Sequence, residues 1–378
     1  MRNFSNNLYP TVVQEYQIEN MTSMQIVSYL ELIRFKAKDA RSTGKWNDAL
    51  MHYQNFEEIK TKIGLGVSED AYWARSKIVE LLLIMGDFSG AEYELEQTNS
   101  FYDDASCDQF IQSFCMIQKG VIYCVLNNID EARQMYMENA QIQRNRKSLS
   151  NHLASLEAFE QILGFESNCL SISVFAMHHS TKKDDLFIWR KRSETHCQKL
   201  LRALKSSPKH KIKEQSAIIL AIISSIADWF LFEDSVNKNP SSVTSNKARR
   251  GDAEYNLLKF FTKLFRTKDS SQMFAHFHAL SKAFIFLRQG KRSVCCSELE
   301  KIIEEAKNKS FILDYHSITL LTYKWMIEAQ YITKNIDVAQ AYANYFESID
   351  FKFRCDIIER CLLKTLNNSL GLKTGIGM

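Results

Sequence analysis

The chain has 378 residues, of which 45% are hydrophobic and 24% charged, and its formal net charge at pH 7 is +4. This composition excludes an intrinsically disordered chain, because enough apolar residues are present to form a core. The length suits two or three ordinary domains or one elongated domain. Only 3 prolines and 12 glycines are present, and Asn-Gly or Asp-Gly hairpin turns are absent. Long segments therefore lack helix-breaking residues, which predicts an all-α protein.

The cysteines and the apolar segments indicate an intracellular, cytoplasmic protein. Nine cysteines show no Cys-x-x-Cys spacing, which is typical of reduced thiols. The first residues, MRNFSNNLYPTVVQ, lack the apolar run of a signal peptide. The most apolar segment, AIILAIISSIADWFLF at 217–232, is shorter than the ~20 residues that span a bilayer. It is therefore predicted as a buried helix, and no membrane insertion is expected.

After an N-terminal segment at 1–23, the chain repeats one pattern of helix, tight turn and helix. Three early units have their turns at Gly44, Gly86 and Asn127, and two later units at Gly290 and Lys334. The turns are 42, 41, 163 and 44 residues apart, and 163 is close to four periods of 41. Gly and Asn suit these positions because they accept the left-handed backbone that ends many helices. A constant period of this kind predicts stacked helical repeats.

Each unit also repeats the same residue sizes around its turn. A large apolar residue follows two positions after most turns, a small residue five positions after, and an apolar or aromatic residue nine positions after. A small residue lets the paired helices approach closely. The large residues are Trp46, Phe88, Ile129 and Ile336. The small residues are Ala49, Ala91, Ala132, Cys295 and Ala339, and the later apolar residues are Tyr53, Leu95, Tyr136 and Leu299.

These units resemble the tetratricopeptide repeat family. The unit that carries the resemblance best reads Gly120-x-x-Tyr123, followed by Ile129-x-x-Ala132-x-x-x-Tyr136. The period departs from the family, at 41–44 residues instead of 34. The resemblance implies a right-handed α-solenoid of roughly seven antiparallel helix pairs. An irregular helical bundle with coincidental Gly and Ala spacings is the alternative.

The middle of the chain follows the period less clearly. Extending the period predicts turns near 168, 209 and 250, with Asn168 as the first turn residue and Ser173 at the small position. A Ser- and Asn-rich stretch at 233–252 is predicted as an exposed loop. The predicted organisation is N-terminal repeats at 24–180, basic helices and an exposed loop with a break in the superhelix at 181–252, C-terminal repeats at 253–350, and a capping helix with a flexible tail at 351–378.

Basic residues concentrate in one part of this middle region. Residues 182–213 contain eleven Lys or Arg and three Asp or Glu, a net charge of +8. Such a cluster suits nucleic acid, an acidic protein segment or an anionic membrane, and a solvated helix face is the structural alternative. No DNA- or RNA-binding motif accompanies it. The candidate residues are Lys183, Arg190, Lys191, Arg192, Lys209 and Lys211.

Catalytic and metal-binding motifs are missing from the sequence. It contains no Gly-rich phosphate loop, no His-Glu-x-x-His and no Gly-x-Ser-x-Gly. His276 and His278 are two residues apart, so on a helix they face different directions and make a poor metal pair. The sequence therefore predicts a protein that is not an enzyme and has no cofactor and no metal site.

The resemblance implies a concave groove lined by the first helix of each repeat. Arg34, Lys38 and Arg41 lie four and three residues apart, so they stack on one helical face and suit an anionic ligand. Phe114 and Ile117 make the same surface apolar, which suits a partner helix or a superhelix that closes on itself. The remaining implied groove residues are Trp73, Glu80, Lys324, Glu328 and Tyr331.

The function that this organisation implies is binding of a protein or peptide. We expect a non-catalytic adaptor or scaffold that uses the concave groove. A second hypothesis is an intracellular regulator whose superhelix changes pitch when a peptide occupies the groove. A third is nucleic-acid binding through residues 182–213.

Overall fold

The computed structural model describes residues 20–66, 68–85, 87–99, 109–145, 156–236, 252–266, 272–306, 316–332 and 335–348. These residues form fifteen α-helices, and none of them lies in a β-strand. The all-α class predicted from the scarcity of proline and glycine is therefore confirmed.

The helices pack in neighbouring pairs. In chain order they are α1 Ser23–Ser42, α2 Trp46–Lys62, α3 Glu69–Met85, α4 Phe88–Asn99, α5 Gln109–Val125, α6 Ile129–Asn145, α7 Leu156–His178, α8 Lys183–Lys205, α9 Lys209–Lys213, α10 Ser216–Val236, α11 Ala253–Leu264, α12 Gln272–Arg288, α13 Arg292–Ala306, α14 His316–Ile332 and α15 Ile336–Ser348.

The turns between paired helices share one hydrogen-bonding pattern. Gly44, Asn127 and Gly290 have left-handed backbones, with φ of 80°, 62° and 76°. The N–H after each of them donates to a carbonyl five residues earlier, which is the Schellman ending of a helix. The predicted role of these residues is confirmed. The bonds, including the equivalent ones at the two other turns, are Lys45 to Ala40, Asp87 to Leu82, Asn128 to Tyr123, Lys291 to Phe286 and Asn335 to Gln330.

The small residue five positions after each turn is buried in every unit. Its N–H donates to the carbonyl four residues earlier, so it lies in the first turn of the second helix. With a methyl or thiol side chain there, the paired helices approach closely and bury the neighbouring apolar residues. This prediction is confirmed for Ala49, Ala91, Ala132, Cys295 and Ala339, which are all at most 1% exposed.

The fourth predicted turn is wrong, because α7 continues through it. Asn168 and Ser173 lie inside α7, and the Ser173 hydroxyl donates to the carbonyl of Cys169 within the helix. Buried apolar residues continue on both sides of Asn168, so tertiary packing extends the helix past a residue that would also accept a turn. The chain turns instead between α7 and α8. A turn near 209 is confirmed, since α8 ends at Lys205 and α9 begins after Pro208.

Helix α10 occupies the centre of the fold. It contacts α1, α3 and α7 from the first part of the chain and α12 and α14 from the last part. Within the described residues it is the one helix long and apolar enough to cross a bilayer, over Ser216–Glu233, and 72% of that stretch is buried inside the protein. This burial agrees with the prediction of a core helix at 217–232.

Four predictions fall wholly or mainly on residues outside the described ranges. They are the N-terminal segment at 1–23, the exposed loop at 233–252, the turn near 250, and the capping helix with its tail at 351–378. The division into repeat segments at 24–180 and 253–350 stays a prediction.

The left-handed turns make a direct stability prediction at Gly290. An alanine Cβ there would meet open space, so Gly290→Ala changes only the backbone strain. We expect it to lower the free energy of unfolding by about 1–2 kcal/mol, measured by urea denaturation. Gly290→Asn is the matched control and should cost clearly less, because Asn127 adopts the same conformation. Equal stability of the two variants would contradict the strain argument.

Candidate functional site

A shallow cleft opens between the first three helices, and it contains three of the residues predicted for the groove. Arg34 and Lys38 come from α1, and Trp73 comes from α3. The cleft is therefore a mixed surface, with two cationic side chains beside an aromatic one. The rest of its lining, which sequence reasoning missed, consists of Tyr53, Phe56, Asp70 and Ala74.

Local helix geometry accounts for this grouping. Arg34 and Lys38 are four residues apart on α1, so their side chains lie on the same face. The Trp73 ring is held from within the protein, since the Lys77 ammonium lies 4.4 Å from its centroid and the Phe114 ring 6.2 Å away. Trp73 is half-buried and keeps part of its ring accessible in the cleft.

One side of the cleft is cationic, and the other side contains a carboxylate that is already paired. Arg34 lies 3.9 Å from Glu31, an exposed carboxylate that binds it weakly. Lys38 forms no ion pair with a side chain in the part of the chain that the structure describes. Asp70 is paired with Lys60, at 3.2 Å between Nζ and Oδ2. The Arg34 and Lys38 side is consequently the cationic side of the cleft.

The structure places Arg41 inside the fold, which corrects its assignment to an open groove. Its side chain is fully buried, and the guanidinium forms an ion pair with Glu160 of α7. It also donates to the side-chain oxygen of Gln215, at 2.9 Å, and to the backbone carbonyl of Glu214. Because these partners lie more than 100 residues away along the chain, sequence spacing alone could not separate Arg41 from Arg34 and Lys38.

Glu80, another predicted groove residue, belongs to the same buried charge network. Its carboxylate accepts from Lys77 at 2.6 Å, and Lys77 also lies 3.4 Å from Glu160. Burial alone would raise the pKa of Glu160, but Arg41 and Lys77 outweigh it and lower that pKa to about 2. The two cations and the two carboxylates of this network therefore neutralise each other. Glu80 has a structural role.

The groove positions predicted on α5 are covered by the protein itself. Phe114 and Ile117 are buried, and Gly164 of α7 lies so close to the Phe114 ring that an added Cβ would be 3.2 Å from it. Ile218 of α10 packs at the same point. Of the two explanations considered for this apolar surface, the structure shows contact with the chain's own helices.

The predicted positions on α14 face α10. Lys324 donates to Asp228 at 2.9 Å, and the indole N–H of the neighbouring Trp325 donates to the same carboxylate at 3.0 Å. Burial, with the nearby Asp228 charge, raises the pKa of Glu328 to about 7 despite Lys324. Tyr331 lies in α14, but its side chain is outside the described part. Lys324 and Glu328 thus contribute to packing between α10 and α14.

The basic residues predicted at 182–213 divide into two groups. Arg190 lies 3.2 Å from Glu233 and 3.6 Å from Glu194, and the Arg192 guanidinium stacks 4.2 Å from the Trp189 ring centroid. The others, Lys183, Lys191, Lys209 and Lys211, form no ion pair within the described residues. Arg190 and Arg192 are therefore partly committed to the fold, whereas the second group keeps its charge toward solvent.

A hydrogen-bonded network of buried side chains joins α6, α7 and α8. Sequence reasoning missed this network. The Tyr136 hydroxyl lies 2.7 Å from Nε2 of His196, and Nδ1 of His196 lies 2.5 Å from Glu166. Lys199 donates to the other oxygen of Glu166 at 2.8 Å. The aromatic residue nine positions after the Asn127 turn thus bonds across to a second helix pair. Since Tyr136, His196 and Glu166 are buried, this network connects helices and offers no open site.

A second buried cluster surrounds Arg288 at the end of α12. Its guanidinium contacts the carboxylates of Glu233, Asp252 and Glu254. Burial raises the pKa of Glu254 to about 7, against the opposing effect of Arg288. This arrangement joins the end of α10 to the start of α11.

The described residues include no group of three or more His, Cys, Asp or Glu side chains placed to hold a metal ion. His276 and His278 have different partners, Glu305 and the carbonyl of Thr262, as their spacing of two predicts. Cys295 and Cys296 are buried, with Cys295 at the small position of its repeat.

No protein-family model, curated protein or solved structure matches this chain. The resemblance to tetratricopeptide repeats depends on the repeated turns and small residues alone, and membership of that family stays a prediction.

The ion pair between Arg41 and Glu160 makes a prediction about pH. Since the pKa of Glu160 is about 2 in the folded protein and ordinary when unfolded, its stabilising effect is present above about pH 4.5 and is lost as the pH falls toward 2. Glu160→Gln should lower the free energy of unfolding at pH 7 by about 3 kcal/mol, because it leaves Arg41 buried with a weaker partner. Urea denaturation between pH 3 and pH 7 measures both effects.

Glu31→Gln is the control for that experiment, since it removes an exposed carboxylate from the same region. We expect its unfolding curve to follow the unmodified protein at each pH. If Glu160→Gln kept the pH dependence of the unmodified protein, Glu160 would not be the group responsible.

Proposed function

We propose that the protein is a non-catalytic helical-repeat scaffold that binds an acidic peptide segment in the cleft between α1 and α3. The observation that carries the proposal is the meeting of Arg34, Lys38 and the half-buried Trp73 around one cleft. The repeated Schellman turns and buried small residues support a TPR-like superhelix as the framework. In this proposal the binding surface is the N-terminal end of the groove, since α7 and α10 cover its middle.

The chemistry of the cleft supports a ligand that combines negative charge with an apolar group. Arg34 binds a carboxylate in two-point geometry, and Lys38 adds a second positive charge one helical turn away. The flat Trp73 ring and the Phe56 ring, which both line the cleft, accept an aromatic or aliphatic side chain. An acidic residue followed by a large apolar residue would satisfy both parts of the cleft.

The position of α10 favours a scaffold over a sensor that changes pitch. A change of pitch would separate α1 and α3 from α12 and α14, and α10 contacts all four helices. Its buried apolar side chains would then be exposed to water, at a cost that a short peptide does not offset.

The test begins with selection of tight binders from a randomised peptide library. Arg34→Glu with Lys38→Glu should weaken the best binder at least tenfold in fluorescence anisotropy, because two attractive charges become repulsive. Trp73→Ala should weaken it by a similar factor through lost apolar contact. Selected sequences should be enriched in Asp or Glu next to a large apolar residue.

Lys36→Glu with Lys45→Glu is the matched control, because both lysines are exposed and neither lines the cleft. It produces the same change in net charge but leaves the cleft residues unchanged, so the affinity for the peptide should stay within twofold. A binder that loses affinity equally in both double variants responds only to net charge. That outcome, or full binding by Arg34→Glu with Lys38→Glu, would contradict the proposed cleft.

A further inference from the structure

Helix α8 has a second face that points to solvent. Its inner face is buried through residues such as Trp189, His196 and Leu200. The helix has 23 residues, which corresponds to a length of about 34 Å at 1.5 Å per residue. The outer face is therefore an exposed, convex surface that runs for about 34 Å across the protein.

Five cations lie along this outer face. With 3.6 residues per turn, all of them fall within about 60° of the direction of Phe187 around the helix axis. Four of these cations form no ion pair within the described residues, and the fifth, Arg190, is shared with Glu233 and Glu194. The face has fewer acidic residues, Asp184 and Glu194. The five cations are Lys183, Arg190, Lys191, Arg202 and Lys205.

Two large apolar side chains lie exposed among these charges. Phe187 is 66% exposed and lies four residues from both Lys183 and Lys191. Ile188 is 44% exposed and lies at the edge of this face, about 100° around the helix from Phe187 and three residues from Lys191. Exposed apolar side chains that occur singly are normal on a soluble surface, but Phe187 lies between Lys183 and Lys191 on one cationic face. The combination of cations with exposed apolar side chains is typical of surfaces that bind the interface of a lipid bilayer.

We propose that the outer face of α8 is a docking surface for an anionic lipid membrane. The lysines and arginines attract acidic headgroups, and Phe187 and Ile188 enter the boundary between headgroups and acyl chains. Binding is peripheral, because α10, the apolar helix, is buried inside the protein and stays there.

The same observations fit nucleic acid less well. Proteins bind single strands in grooves with stacking platforms, whereas the α8 face is convex. Duplex phosphates would be neutralised by the cations, but Phe187 and Ile188 would then lie against charged oxygens without gaining apolar contact. An anionic bilayer satisfies both the charges and the apolar pair.

The experiment is sedimentation of the full chain with vesicles of phosphatidylserine and phosphatidylcholine, compared with phosphatidylcholine alone. We expect binding to the anionic vesicles, weakened by raising the salt from 0.1 to 0.5 M. Each cation near such a surface contributes about fivefold to the partition coefficient. Lys183→Gln with Lys191→Gln should therefore weaken binding about 25-fold, and Phe187→Ser should weaken it about tenfold.

Two matched control variants distinguish a specific role of the outer face of α8 from a general effect of surface charge or of exposed apolar side chains. Lys259→Gln with Lys263→Gln removes the same charge from exposed positions on α11, and Phe35→Ser removes a side chain that is 68% exposed on α1. Both should bind anionic vesicles within twofold of the unmodified protein. Equal losses in the control and test variants would overturn the proposal, because the effect would not belong to α8.

Fluorescence anisotropy with labelled single-stranded and duplex oligonucleotides tests the rival partner. Weak, non-competing binding to oligonucleotides agrees with the membrane proposal. Binding to oligonucleotides that requires Lys183 and Lys191, without binding to anionic vesicles, would replace the membrane by nucleic acid. The peptide cleft is separate from the outer face of α8. Arg34→Glu with Lys38→Glu should therefore change vesicle binding only through the change in the net charge of the protein.

Discussion

The fold depends on the burial of one helix, α10, between helices from both ends of the chain. Its apolar side chains are buried among α1, α3, α7, α12 and α14. Burial of a helix on nearly all sides is a large source of stability, since each large apolar side chain contributes about 1.5–3 kcal/mol when removed from water. Helices that are distant in sequence are therefore brought together by their shared contacts with α10.

The buried charges are arranged around that helix. Arg41 joins α1 to Glu160 of α7 and to Gln215 just before α10, and Lys324 joins α14 to Asp228 within α10. A buried ion pair contributes little net stability, but one partner without the other is costly, so these pairs specify which helices meet. Residues that the family resemblance places in an open groove act here as internal connections, because their side chains bind partners on the chain's own helices.

The two candidate binding surfaces lie at the periphery of the fold. The cleft of Arg34, Lys38 and Trp73 is formed by the first three helices, and its lining residues do not come from α10. The cationic face of α8, with Phe187, lies on the outside of the middle region. The two proposals together describe a protein that binds a peptide segment at one surface and a membrane at another, with the buried helices connecting the two surfaces.

The sequence by itself determined the local features of this protein. Gly44, Asn127 and Gly290 end helices because their backbones accept a left-handed conformation, and Ala49 or Cys295 is small because a second helix packs against it. Such constraints act within a few residues, so spacing reveals them. Tertiary structure alone decided that Asn168 stays helical, that Arg41 is buried whereas Lys38 is accessible, and that α10 contacts helices from both parts of the chain. Those outcomes depend on partners such as Glu160, Gln215 and Ile218, which lie far away in sequence and meet these residues only in the folded chain.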